Sequence, residues 1–312
     1  MSKKNYDWKK YPVIYFELKD YNFRTLENID SSFEEILRKE ALVNNITLTT
    51  DNAHSMFREL IEKLYEKSGD VVILIDDYDK PFIDNNFSTN NLEIQRHLFN
   101  FYGIIKAKSD CIRMALLTGV YHFYLADMLS GGVNNIDDIS SMSDYGTLYG
   151  YTKEELDVYF KDRIKQLALM QNVTLDKLKD EITSWYGNYC FEKKSSVVIN
   201  PLSLAKFFNN NGKFEIYKSN DHITKVLQEI IKDQKFDINE SYQIDTYINF
   251  PMEINQISAL DLMVQTGLFT IKGVEKMFNR NFLKVDFSNI ETIEYWKLLL
   301  KSIQEDDKVF IE

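Results

Sequence analysis

The chain has 312 residues, 44% of them apolar, enough to bury one large core or two modest ones and too many for a disordered segment. Its 37 Lys and Arg stand against 48 Asp and Glu, a formal net charge of −11 whose average field disfavours general binding to nucleic-acid phosphates. Cys111 and Cys190 lie far apart with no ligand-spaced neighbours, which argues against a disulfide framework or a zinc site; both are expected as reduced core residues. No apolar run approaches the roughly 20 residues a membrane helix needs, so a soluble, cytoplasmic protein is expected.

In chain order, Tyr11 to Leu18 is short and rich in aromatic and β-branched residues, which predicts a strand. Ser31 and Glu34 stand at capping-box spacing before Ile36 and Leu37, and Asn52 can cap a helix through Met56, Leu60, Ile61 and Leu64. Val71 to Ile75 is a continuous apolar run that breaks into Asp76-Asp77-Tyr78-Asp79, the pattern of a strand buried on both faces. A helix over Asn91 to Lys106 and a strand over Met114 to Leu117 continue the alternation of a parallel α/β sheet.

After about Gly150 the pattern turns helical. Thr152 and Glu155 form a second capping-box pair, with helices predicted over Tyr159 to Leu169 and Leu175 to Trp185. A helix over Ile257 to Val264, a hairpin from Leu268–Ile271 and Phe282–Val285, and a helix over Ile293 to Ile303 predict a winged-helix-like end. Three regions are expected, at 1–150, 151–250 and 251–312. From Pro251 to Glu312 seven Lys or Arg face ten Asp or Glu, against sequence-specific duplex DNA binding.

Four apolar residues followed by Asp76 make a Walker B-like pattern, in which a strand-end aspartate orients Mg²⁺ and the next acidic residue polarises water. Apolar strands often end in Asp for another reason, since the carboxylate caps the following turn. His54, His97 and His222 are isolated, and Trp185, Tyr186, Tyr189 and Phe191 read as packing residues.

Wider context decides more. Leu74-Ile-Asp-Asp-Tyr-Asp-Lys-Pro81 closely resembles the Leu-Ile-Asp-Glu-Tyr-Asp-Lys-Pro hallmark of the AAA-ATPase-like family. Leu117-Thr-Gly-Val120 is similar to that family's sensor strand, and Ser130 to Ile139 to its Ser-Gly-Leu-Asn-Asn-Leu-x-Asp-Ile segment. Tyr145 to Leu156, Trp185 to Phe191, Asn200 to Leu204 and Gln265 to Lys272 extend the resemblance into the last third.

The resemblance implies an incomplete AAA-like, P-loop NTPase-like parallel sheet followed by a helical lid. It casts Asp76 as the Mg²⁺-orienting position if ATP is bound, Asp77 as a degenerate water-polarising position and Thr118 as sensor-like. The family's phosphate loop lies upstream of the segment equivalent to Trp8–Val13, and no Gly-x-x-x-x-Gly-Lys-[Ser/Thr] pattern occurs in the 312 residues. Asp77 stands where the family has Glu, His122 replaces a Lys or Arg, and Gly187-Asn188 reverses the family's order.

These departures imply a non-hydrolysing interaction or regulatory module, with no cofactor expected for this chain alone. The alternative is a fragment of an active ATPase that uses ATP and Mg²⁺, its phosphate loop lying in an N-terminal segment or partner chain. A third reading is a metal-dependent nuclease centred on Asp76, for which no Glu-x-Lys strand is identified. A protein partner or self-association is expected at an open sheet edge, with Val197 to Ile199 as the internal candidate to cover the Met114 strand.

Overall fold

The computed structural model describes residues 8–85, 91–120, 136–140, 142–192, 195–218, 227–228, 236–245, 258–277 and 280–309. The chain is mixed α/β and divides into two compact units: Met1–Asp137 with Phe250–Gln256, and Asp138–Asn249 with Ile257–Glu312. No helix among the described residues is long and apolar enough to cross a membrane.

The first unit contains β1 (Val13–Glu17), α1 (Leu26–Val43), α2 (Ala53–Ser68), β2 (Val71–Asp76), α3 (Lys80–Asp84), α4 (Asn91–Ala107) and β3 (Ile112–Leu117). The strands pair in parallel in the order β1-β2-β3. Ile14 and Phe16 of β1 and Val71, Ile73 and Ile75 of β2 are buried. Against this layer, Phe16, Phe33, Phe57 and Phe101 interlock, with ring centroids 5.1 Å apart for Phe16–Phe57 and 3.9 Å for the stacked Phe33–Phe101 pair. Such aromatic pairs add to burial through their quadrupoles.

The alternate residues behave differently. Val13 is 38% exposed, Tyr15 39% and Met114 50%, while Val72, Leu74 and Leu116 are half-buried. In the parallel register Val13 pairs with Val72 and Val72 with Met114, so these residues share one face of the sheet. The expectation that β2 is buried on both faces is therefore corrected: its apolar run is continuous, but one face is partly open.

Local capping sets the helix ends. Asn52 accepts from the Ser55 N–H at 2.9 Å, as its position predicts. Helix α1 instead starts at Thr25, whose hydroxyl accepts from the Asn28 N–H at 3.2 Å. Ser31 lies inside that helix and donates to the Asn28 carbonyl, so the Ser31–Glu34 cap is corrected: the spacing is present one and a half turns too late.

The second unit contains α5 (Lys153–Tyr159), α6 (Lys161–Met170), α7 (Leu175–Tyr186), α8 (Pro201–Asn209), β4 (Tyr242–Asp245), α9 (Ala259–Gln265), β5 (Phe269–Met277), β6 (Arg280–Phe287) and α10 (Ile290–Val309). Thr152 and Glu155 form the complete reciprocal capping box before α5. The helix pattern through Tyr159 is interrupted at Phe160, which closes α5 and opens α6. Strands β5 and β6 form the expected antiparallel hairpin, and β4 joins it in the order β4-β6-β5.

Val197 to Ile199 does not cover β3. Val198 pairs with Tyr189, and Ile199 exchanges hydrogen bonds with Tyr151 at 3.1 and 2.8 Å. Their backbone groups are thereby satisfied inside the second unit, where both side chains are buried. Among the described residues, β3 pairs with β2 alone.

Trp185 and Tyr186 stack on Phe214, Tyr186 also meets Phe207 and Tyr189 is buried, so these three pack as read from the sequence, whereas Phe191 is exposed. Cys111 and Cys190 are free thiols, each only half-buried.

A fully buried carboxylate holds this unit together. Glu291, in the first turn of α10, accepts from the Ser203 hydroxyl of α8 at 2.8 Å and from the backbone N–H groups of Tyr217 and Lys218 at 2.7 and 2.9 Å. The Lys218 ammonium in turn donates to the Thr266 carbonyl at 2.7 Å. Burial pushes the Glu291 carboxyl above its ordinary range and brings Lys218 down to about 8.

Candidate functional site

Sheet register brings Glu17, Asp76 and Thr118 into one row. Glu17 pairs with Asp76, Ile75 with Leu117, and side chains paired across a parallel sheet point to the same face. This is the partly open face, at the carboxyl ends of the strands, where ligands of open α/β sheets bind. The Thr118 hydroxyl donates to Asp76 Oδ1 at 2.5 Å, closing a gap of 42 residues in sequence. Asp76 is exposed and Thr118 half-buried, so the pair lies at the surface of the sheet end.

Asp77 follows with φ of 56°, in the left-handed region that a non-glycine residue enters at a cost. The turn is held from both sides: Lys80 N–H donates to the Asp77 carbonyl, and Tyr78 N–H to the Thr118 carbonyl, each at 2.9 Å. Burial first, and then the adjacent Asp76 carboxylate, push the Asp77 carboxyl above the usual range, while Lys19 and Lys80 pull it back. Tyr15, on the same face as Asp76, has its phenol raised by burial and then by Glu17, Asp76 and Asp77.

The structure thus brings together Asp76, Asp77 and Thr118, and adds Glu17 and Asp79. Glu17 carries no motif of its own; its place at the end of β1 is the signal that marks it. Asp79 belongs to the Asp-Tyr-Asp-Lys-Pro run but points inward, 1% exposed, with Oδ2 accepting from the Val120 N–H at 2.9 Å. His122 and residues 130–135 of the Ser130–Ile139 segment lie outside the described residues. His97 lies apart from the site, its Nε2 2.7 Å from an Asp30 oxygen.

Among the described residues no group of three or more His, Cys, Asp or Glu side chains is gathered to hold a metal ion by itself. Carboxylate oxygens at Asp76 and Glu17 match what Mg²⁺ prefers, an ion bound by one or two carboxylates plus substrate phosphates. Main-chain N–H groups arranged to cradle phosphate belong to a glycine-rich loop, and that pattern is not present in the 312 residues.

Residues 1–129 match the sequence model of the AAA-ATPase-like family, described as a predicted AAA-ATPase. An uncharacterized protein in the vnfD 5′ region of Azotobacter chroococcum mcd 1 is 28% identical over 292 residues, covering 92% of this chain and 54% of that protein. The Myb family transcription factor IPN2 of Lotus japonicus is 26% identical over 211 residues, 63% of this chain and 55% of its own length. The chain thus spans about half the length of the curated relatives it matches. The family match covers residues 1–129, which hold the parallel sheet with Asp76 and Thr118 at its carboxyl end.

Proposed function

We propose that the first unit supplies the acidic and sensor half of an ATP site, and that the phosphate-binding half comes from polypeptide outside these 312 residues, in cis or from a partner chain. The observation that carries this reading is the partly open face of the β1-β2-β3 sheet around Asp76, with β3 paired to β2 alone among the described residues. Parallel sheets are ordinarily covered on both faces, and an unpaired strand edge accepts a further strand. A strand, phosphate loop and helix added beside β3 would cover both the edge and the row of Val13, Tyr15 and Met114.

Asp76 holds the metal side of such a site, and Thr118 fixes the orientation of its carboxylate through the 2.5 Å hydrogen bond. Bound Mg²⁺ neutralises charge on the nucleotide phosphates. On this reading Asp77 orients water, but it is one methylene shorter than Glu, and water positioning tolerates little error. That shortening favours a second reading, a non-hydrolysing regulatory module that binds its partner through the same edge. The two are separated by Asp77→Glu in the joined protein: a gain in phosphate release supports the enzyme, and unchanged silence supports the module.

On this reading the second unit carries the winged-helix-like end, with α9, the β5–β6 hairpin and α10 as its elements. Its acidic surplus favours protein over duplex DNA as the contact. The free thiols of Cys111 and Cys190 support a cytoplasmic setting.

Calorimetric titration with ATP and Mg²⁺ tests the proposal. The 312-residue chain alone is expected to give no saturable heat at micromolar nucleotide, and the chain joined to a phosphate-loop segment to bind. Tight binding by the chain alone would overturn it.

A further inference from the structure

We propose that Asp79 is a positioning residue: its buried carboxylate fixes the turn after β3 so that the Thr118 hydroxyl stays on Asp76. This rests on the reading of Asp76 and Thr118 as halves of a nucleotide site, but its geometry stands independently of any ligand.

Thr118 and Val120, just past the end of β3, are held by β2 and the turn that follows it. The Thr118 N–H donates to the Ile75 carbonyl at 2.9 Å, and the Thr118 carbonyl accepts from the Tyr78 N–H at 2.9 Å. The Val120 N–H then donates to Asp79 Oδ2 at 2.9 Å. Tyr102, buried on α4, donates its hydroxyl to the Tyr78 carbonyl at 3.1 Å and steadies the gripping turn from behind.

Gly119 lets the two turns close. A Cβ there would stand 2.6 Å from Asp79 Oδ1, 2.8 Å from its Cγ and 2.9 Å from Tyr78 Cδ1, so any side chain would drive the carboxylate away. The first two contacts are backbone to backbone and continue the sheet, whereas the third is specific to a carboxylate at position 79. A carboxylate oxygen is a strong acceptor, and its loss leaves the partly buried Val120 N–H without that partner. Asp79 therefore acts on the site through Thr118 rather than by touching ligand.

Amide hydrogen exchange and Thr118 side-chain couplings, measured by NMR on the full chain without nucleotide, test this in Asp79→Ala, Asp79→Asn and Gly119→Ala. Asp79→Ala and Gly119→Ala are expected to speed Val120 exchange about tenfold or more and to average the Thr118 χ1 rotamers, with β1 and β2 amides as in the wild type. Asp79→Asn, which keeps one acceptor oxygen, is expected to restore the fixed rotamer. If Asp79→Ala does not fold, Gly119→Ala reads the same contact from its other side. A single Thr118 rotamer retained in Gly119→Ala or Asp79→Ala would sink the inference. Fixed positioning by Asp79 in a protein that never hydrolyses ATP after joining to a phosphate loop would instead count against the proposed function alone.

Discussion

The two units each contain a buried glutamate that gathers hydrogen bonds, and the pair respond to burial in opposite ways. Glu59 of α2 accepts from the hydroxyls of Thr49 and Thr50 at 2.6 and 2.7 Å and from their N–H groups, and pairs with Lys63 at 2.6 Å. Burial raises its carboxyl, but Lys63 and the two threonines outweigh that and hold it far below the ordinary range. Glu291 has comparable hydrogen-bond support from Ser203, Tyr217 and Lys218, yet burial dominates and its carboxyl is raised. Glu59 sits near the surface beside a lysine with access to water, whereas Glu291 is wholly enclosed. Partners decide the outcome where solvent is near, and desolvation decides it where solvent is excluded.

The largest expected effect follows from the enclosed carboxylate. Glu291→Ala leaves the Tyr217 and Lys218 N–H groups and the Ser203 hydroxyl without their acceptor, and should destabilise the second unit by about 3–5 kcal/mol. Denaturant unfolding followed at Trp296, buried against Phe287 in the same unit, measures it. A loss below about 1 kcal/mol would show that the network is ornamental.

Opposite pKa directions sharpen the contrast into opposite pH slopes. The Glu59 contribution is complete above its unfolded value near 4.5 and is lost as pH falls below it. Glu291, with a raised carboxyl, binds its proton more readily when folded, so acidification favours the second unit through this group. Between about 8 and 10.5 the unfolded chain keeps a proton on Lys218 that the folded one releases, and the second unit gains stability as pH rises. Hydrogen exchange resolved by unit checks this, with Glu59→Gln costing about 2 kcal/mol at pH 7 and flattening the acid limb of the first unit only. Parallel acid slopes in both units would contradict the account.

Much of the first unit was legible because its information is local. The strands over 13–17, 71–76 and 112–117 follow from apolar runs, and the Asn52 and Thr152 caps from spacings of three residues. Local rules failed where two local answers competed: Thr25 and Ser31 both offer an N-cap, and the chain uses the earlier one. The Val197–Ile199 run has the composition of a strand, but composition does not name the pairing partner, here Tyr151 and Tyr189. Asp76 and Asp77 stand out as the acidic end of an apolar run, and Thr118 only through resemblance to a family. Asp79 on Val120 and Glu291 on Ser203 connect residues 41 and 88 positions apart, a distance across which no spacing rule operates.

A smaller effect is expected at Asp76. Its carboxylate is exposed and stands beside Glu17 and Asp77, so Asp76→Asn relieves repulsion while keeping an oxygen for Thr118. Thermal unfolding should shift by no more than about 0.5 kcal/mol in either direction. A loss of several kcal/mol would mean that Asp76 is a structural residue.

That near-neutrality makes Asp76 the place to test the central claim, that the first unit supplies the acidic half of an ATP site. The decisive measurement is phosphate release by the chain joined to a phosphate-loop segment, comparing the natural sequence with Asp76→Asn. We expect Mg²⁺-dependent release that falls at least about a hundredfold in the variant while its melting temperature is unchanged. Release that persists undiminished in Asp76→Asn would contradict the assignment.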